Sequence, residues 1–296
     1  MYSLDYQQPV FRPPSEAGSL ILQITIGCSH NRCTFCGMYK MKSFQLRPVA
    51  AILAEVASLP PAYRASCQRI FLADGDALIY PQAGLLEILT ALNQAFPRLG
   101  RVGIYASPAS LAGKSAAELA LLQEQKLRLL YFGLESGDPP TLQRVNKGYT
   151  AEQMLSLCRK ARQAGMKLSV TAILGLAGRA RSDAHAGATA DWINQLSPEY
   201  FSLLTLFRRR NDAFFAGIEP LSQGDIIAEA LQLVSRLNPH RTILRSNHVS
   251  NLLHLAGSYP KDRQRIIAQA SHALALARQQ QDWYRAFPDY DEDGRF

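Results

Sequence analysis

Three of the chain's five cysteines, Cys28, Cys33 and Cys36, fall within nine residues, in a Cys-x4-Cys-x2-Cys pattern. Thiolates are soft ligands that select zinc, copper(I) or iron–sulfur clusters. A closed zinc site wants four ligands, commonly in two separated pairs. Here His30 is crowded inside the loop, and Cys67 and Cys158 are solitary. Three thiolates on one loop suit three corners of a [4Fe–4S] cubane and leave one iron open to a small molecule. Iron–sulfur is therefore the leading reading and zinc the competing one. Cys158 shares a helical face with Met154 and Ala161 and reads as a core thiol, and Cys67 reads as structural.

Other segments could serve a ligand. Asp74-Gly75-Asp76 follows an apolar run; its glycine would let backbone approach a ligand, and an acid suits an ammonium group. Arg208, Arg209 and Arg210 follow another run, and Arg245, Asn247 and His248, with Asn251, follow a third. These could grip carboxylate, phosphate or RNA backbone, or form a solvated basic surface with an ordinary hydrogen-bonded histidine. Three other motifs fail. Gly113-Lys114-Ser115 lacks the first glycine of a phosphate loop, no Gly-x-Gly-x-x-Gly follows a strand, and no His-Glu-x-x-His occurs.

The elements that must position these residues alternate. Apolar runs at 20–26, 69–73, 101–106, 127–132, 168–174 and 201–206 read as strands covered on both faces. Helical stretches at 48–59, 82–96, 115–125, 150–164 and 183–196 lie between them, two opening on capping-box pairs, Ser115/Glu118 and Thr150/Gln153. Six alternations predict an α/β fold with a parallel sheet, either a partial (β/α)6 TIM-like barrel or an open doubly wound sheet. The remainder predicts a mainly helical extension, with helices near 222–237 and 261–284, a strand at 242–245 and an acidic tail at 289–296. The expected division is an N-terminal extension 1–17, a barrel 18–210 and an extension 211–296 packed on it. The 296 residues carry 32 Lys+Arg against 24 Asp+Glu, a net +8 that alone does not separate nucleic acid from acidic metabolites. No secretory signal or membrane-spanning run is visible, which predicts a cytoplasmic protein with reduced thiols.

The cysteine loop after the first strand of six βα units, with Phe35 just before the last cysteine, resembles the radical S-adenosylmethionine (SAM) enzymes over roughly residues 18–210. The usual family spacing has three residues between the first two cysteines, and this chain has four. The resemblance implies that Cys28, Cys33 and Cys36 hold one [4Fe–4S] cluster. It also implies that Asp74, Gly75 and Asp76, at a position where the family commonly has Gly-Gly-Glu, bind the methionine amino group. The stretch from Gly133 to Thr150 is similar to radical SAM proteins of the oxygen-independent coproporphyrinogen oxidase and methylthiotransferase type. That likeness implies ribose or methionine contacts at Glu135 and Ser136, and a methionine-carboxylate cation at Lys147. Thr171, Ile173 and Gly175 resemble the stretch that packs on adenine, and Phe35 and Ser107 join the implied cofactor contacts. The implied activity is reductive SAM cleavage to a 5′-deoxyadenosyl radical that takes hydrogen from a substrate the sequence does not identify; the basic residues point to an acidic one of small or medium size. Arg208, Arg210, Arg245, Asn247 and His248 are the substrate-side candidates, and a flavodoxin or ferredoxin is the implied reducing partner. Two alternatives stay open: an RNA-modifying radical enzyme, and a non-catalytic iron–sulfur or zinc protein. With only two cysteines left over, no second cysteine-bound cluster of three or four ligands is expected.

Overall fold

A computed structural model describes residues 4–288. These form two compact units: residues 4–31, 39–132 and 157–168 in the first, and 32–38, 133–156 and 169–288 in the second.

In the first unit β1 (Leu20–Gln23) is followed by β2 (Thr25–Ile26), which pairs antiparallel with β3 (Gln45–Leu46). The apolar run 20–26 is therefore two strands, divided at Ile24, whose amide donates to the Ala73 carbonyl at 2.6 Å. β1 pairs parallel with β4 (Arg69–Ala73), β4 with β5 (Arg101–Ala106), and β5 with β6 (Leu127–Glu135). Parallel neighbours need crossovers, supplied by Val49–Ser58, Gln82–Ala95 and Ala116–Glu124. The last opens on the expected Ser115/Glu118 capping box. Strand side chains Leu22, Ile70, Phe71, Leu72, Val102 and Ile104 are buried with helix residues Ile52, Leu85, Ile88, Leu92 and Leu119. This two-faced burial explains why the strands read as apolar runs. Short helices at Pro61–Ser66 and Pro108–Ala112 are absent from the sequence expectation. Both carry proline in their first turn, where its missing N–H costs nothing.

In the second unit β7 (Lys167–Leu174) pairs parallel with β8 (Tyr200–Thr205), and β8 with β9 (Ile243–Arg245); β10 (Ala256–Ser258) adds antiparallel to β9. Helices Ser182–Leu196, Gln223–Arg236 and Arg263–Gln279 pack in sequence, the middle one against both others. The long helix expected at 261–284 ends at Gln279 and restarts as Gln281–Arg285. The acidic tail 289–296 lies outside the described residues. No helix among the described residues is long and apolar enough to cross a membrane.

Candidate functional site

In the first unit the cysteine loop leaves β2 through Gly27, whose φ of +74° lies where side chains are strained. Its amide donates to Asp74 Oδ2 at 3.1 Å, and its carbonyl accepts the Gly75 amide at 3.0 Å. The start of the loop is thereby clamped to the end of β4. Asp74 Oδ2 also accepts Gln23 Nε2 at 3.2 Å and forms a buried ion pair with Lys42 Nζ at 2.7 Å. Lys42 donates further to the Gln7 and Pro9 carbonyls at 2.7 and 2.6 Å, tying the N-terminal segment to the same carboxylate. Asp74 Oδ1 is buried and has no hydrogen-bond partner among the described residues.

Asp76 is equally buried. It accepts the Ser29 hydroxyl at 2.5 Å, the Ser107 amide at 3.0 Å and the Ser107 hydroxyl at 2.7 Å. Burial raises its carboxyl above the ordinary range, against the pull of hydrogen bonds from Ser29, Ser107 and Ser110. Both acids, expected to face a ligand, have their side chains inside the protein and fasten the cysteine loop and the end of β5 to β4. Of the three residues only Gly75 is partly exposed. A Cβ there would stand 2.6 Å from the Tyr39 ring and 2.9 Å from Cys28 Cβ, so a glycine is required for this approach. Ser107 is likewise committed, to Asp76 and to the capping box of Pro108–Ala112.

In the second unit lie Cys33 and Cys36, joined in a turn by Cys36 N–H to the Cys33 carbonyl at 3.3 Å. The Thr34 amide and hydroxyl donate to the Val145 and Arg144 carbonyls at 3.0 and 3.1 Å, and Asn211 Nδ2 donates to the Phe35 carbonyl at 2.7 Å. Phe35 packs on a buried cluster of Val145, Ile173, Leu176, Leu206, Phe214 and Phe215, its ring 6.5 Å from that of Phe214. The ring expected to touch a cofactor is thus also an anchor for the loop, and Ile173 belongs to the same cluster. A Cβ on Gly37 would lie 1.4 Å from the Arg209 carbonyl oxygen, so only glycine lets the loop pass the 207–211 segment.

The Glu135 backbone adopts φ +66° just where β6 ends. Its carboxylate folds back over Gly133, where a Cβ would sit 2.1 Å from Oε1, and pairs with Lys147 Nζ at 2.9 Å. Two residues expected as separate ligand contacts thus form an ion pair. Ser136 is buried, with its hydroxyl turned inward to His185 Nδ1 at 2.8 Å, and Oγ accepts the Asp138 amide at 3.0 Å. Thr171 is half-buried on β7, and Gly175 at its end has φ +80°.

The expected substrate-side residues do not form one basic group. Arg208 pairs with Asp212 at 3.4 Å and lies 4.7 Å from the Phe215 ring centroid. Arg210 and Asn247 are exposed. Arg245 stacks on Tyr200, 5.1 Å away. Since Arg245 is in register with Ser202, its side chain leans back toward the amino end of β8, away from the strand's carboxyl end where a ligand was expected. His248 is in the loop pinned to that carboxyl end: Thr205 N–H donates to Ser250 Oγ at 3.1 Å, and Thr205 Oγ1 donates to Asn251 Oδ1 at 2.9 Å. His248 Nδ1 accepts the Ser250 amide at 3.2 Å, and burial lowers its pKa, so the ring is neutral with its proton on Nε2.

Sequence reasoning missed Lys42, His185 and Glu229. Lys42 sits in a polar stretch indistinguishable from a surface loop. His185 and Glu229 carry one signal, a polar residue on an otherwise apolar helix face. Cys158 is buried, and Cys67 donates weakly to the Arg69 carbonyl at 3.4 Å.

Coproporphyrinogen III oxidase from Escherichia coli, described as a radical SAM enzyme, is 18% identical at a TM-score of 0.58 over 74% of this chain and 52% of its own. Methylornithine synthase is 14% identical at a TM-score of 0.54, over 87% and 81%. The radical SAM methyltransferase TsrM from Kitasatospora setae is 20% identical at 0.51, over 63% and 36%. This chain thus spans about half the length of the first and about a third of the last. Identities this low show the fold, an α/β partial barrel of the (β/α)6 type with a mainly helical C-terminal part. No curated protein matches the sequence. The Radical SAM superfamily profile matches residues 22–192, more than half of the sequence, and the chain therefore belongs to the radical SAM superfamily of enzymes.

Proposed function

We propose that Cys28, Cys33 and Cys36 are the protein ligands of one [4Fe–4S] cluster, and that the enzyme cleaves SAM reductively to act on a small, acidic substrate. The observation that carries this reading is the loop itself. Its three thiols are half-buried and outside any disulfide, in the loop that follows β2. Among the described residues no group of three or more His, Cys, Asp and Glu converges on a single metal ion. Cubane ligands need no such convergence, because each cysteine binds a different iron.

The surroundings fit the cofactors. A Cβ at Gly75 would meet Tyr39 and Cys28, and one at Gly37 the Arg209 carbonyl, so both glycines allow the loop to be packed closely by the protein around it. Backbone is exposed at Gly75 beside Asp74, whose buried Oδ1 has no hydrogen-bond partner among the described residues, and carbonyl oxygens there suit an ammonium group. SAM and the cluster together supply the radical that removes a substrate hydrogen, and the protein's share is binding, orientation and exclusion of water. Backbone around Gly75 receives the amino group, while Asp74 and Asp76 hold that backbone in place. Lys147, steadied by Glu135, offers a cation to the methionine carboxylate. Thr171, Ile173 and Gly175 offer an apolar edge with backbone groups for adenine. Residues 18–210 form the cofactor-binding part, and 211–296 contribute Asn247 and His248 to the substrate side, with Arg208 and Arg210 at the junction. A flavodoxin or ferredoxin supplies the electron.

The test is anaerobic reconstitution, reduction with dithionite, addition of SAM and detection of 5′-deoxyadenosine. Cys33→Ala should abolish product and lower bound iron. No product from a reconstituted wild-type protein carrying a full cluster would refute the SAM-cleavage reading, and full activity in Cys33→Ala would refute the ligand assignment.

A further inference from the structure

Two buried ionisable residues of the second unit stand behind the segments assigned to SAM without belonging to them. Glu229, on helix Gln223–Arg236, is fully buried at its side chain. Its Oε1 accepts the Gly175 amide at 2.7 Å, and its Oε2 accepts the Ser182 hydroxyl. His185, on helix Ser182–Leu196, is also fully buried, with Nδ1 2.8 Å from Ser136 Oγ. Its Nε2 has no hydrogen-bond partner among the described residues and faces Glu229 Oε1 at 3.9 Å. Ser136 Oγ and His185 Nδ1 share one hydrogen bond. A hydrogen on Nε2 points its positive end at the carboxylate. The opposite tautomer would set a lone pair against it.

Such a carboxylate is expensive to bury. Desolvation raises its pKa even though His185, Ser182 and the Gly175 amide all favour the charged form. A helix interface alone would be served better by an apolar residue. What Glu229 does that leucine cannot is accept the Gly175 N–H at a positive-φ turn ending β7, while facing the histidine that holds the end of β6.

We propose that Glu229 and His185 are positioning residues that fix the ends of β6 and β7 relative to one another. The helical C-terminal part thereby sets the affinity for the nucleoside half of SAM. The inference rests on the reading that Gly175 and its neighbours meet adenine. Neither residue touches the cofactor; Glu229 acts through the Gly175 amide and His185 through Ser136.

The experiment measures equilibrium binding of SAM, 5′-deoxyadenosine and methionine separately to the reconstituted, unreduced full-length protein, with amide exchange of the 172–178 segment. Glu229→Ala should weaken 5′-deoxyadenosine and SAM by about tenfold, the size of one lost charge-assisted hydrogen bond, and leave methionine unchanged. Glu229→Gln, which keeps one acceptor and the volume, should recover most of that loss and stay within about threefold of wild type. Exchange in 172–178 should quicken in both. Nucleoside affinity unchanged in a folded Glu229→Ala protein would overturn the proposal, and so would an equal loss for methionine, which marks general loosening. Should Glu229→Ala not fold, Glu229→Gln decides alone: faster exchange with weaker nucleoside binding supports the proposal, and neither change overturns it. Failure of the wild type to bind SAM at all would instead refute the function proposed above.

Discussion

Lys42 and Asp74 make the strongest test of how the cysteine loop is held. Their side chains are 1% and 0% exposed and meet at 2.7 Å. The pair has two further attachments at each end. Asp74 Oδ2 holds Gln23 Nε2 and the Gly27 amide, and Lys42 holds the Gln7 and Pro9 carbonyls. Lys42→Met keeps the apolar stem but leaves a carboxylate buried without its cation. Removing one partner of such a pair costs about 3–5 kcal/mol, a large share of the roughly 5–15 kcal/mol that holds a domain together. Asp74→Asn costs less, because Lys42 keeps two carbonyls and the amide oxygen can accept one hydrogen bond; about 2–3 kcal/mol is expected. The double variant removes both charges, so its loss should fall below the sum of the singles by about 1–3 kcal/mol. Urea denaturation of the four proteins measures each term, and iron content after reconstitution reports whether the loop still assembles. Additive losses, or a Lys42→Met cost below about 1 kcal/mol, would show that the pair is not the clamp described.

Gly75→Ala places a methyl 2.6 Å from the Tyr39 ring and 2.9 Å from Cys28 Cβ. It should lower stability by about 1–3 kcal/mol and reduce cluster content; iron content and melting temperature equal to wild type would contradict the close approach. His248 is held neutral because burial lowers its pKa. Its contribution to stability is therefore complete above the unfolded value of about 6.5 and is lost as pH falls through the lower folded value, since the unfolded chain takes the proton first. The urea midpoint should drop less steeply from pH 7 to pH 5 in His248→Gln than in wild type, and identical slopes would mean that the ring is solvated.

Local pattern made much of this protein legible. Parallel strands covered on both faces must be apolar throughout, so β1 and β4 to β8 could be read from hydrophobic runs alone. Hydroxyl-to-amide caps depend on three-residue spacing, so Ser115 and Thr150 marked their helices without tertiary help. The three cysteines led to the proposed metal centre because thiols at such spacing on one loop have few other uses. Tertiary structure alone decided which way the acids turn. Asp74 and Asp76 look alike in the sequence, and both turn inward, because Lys42 lies 32 residues from the one and Ser107 lies 31 from the other. Arg245 was expected at the end of a strand over 242–245 and stands at the end of β9, yet its direction depended on finding Tyr200 on a neighbouring strand. Glu229 and His185 were invisible for the same reason: a buried charge is tolerable only beside partners that the chain brings together from afar. Sequence spacing determines what chemistry the loop carries. Long-range hydrogen bonding decides which side chains are free to take part, since desolvation penalises every polar group that the fold does not pair.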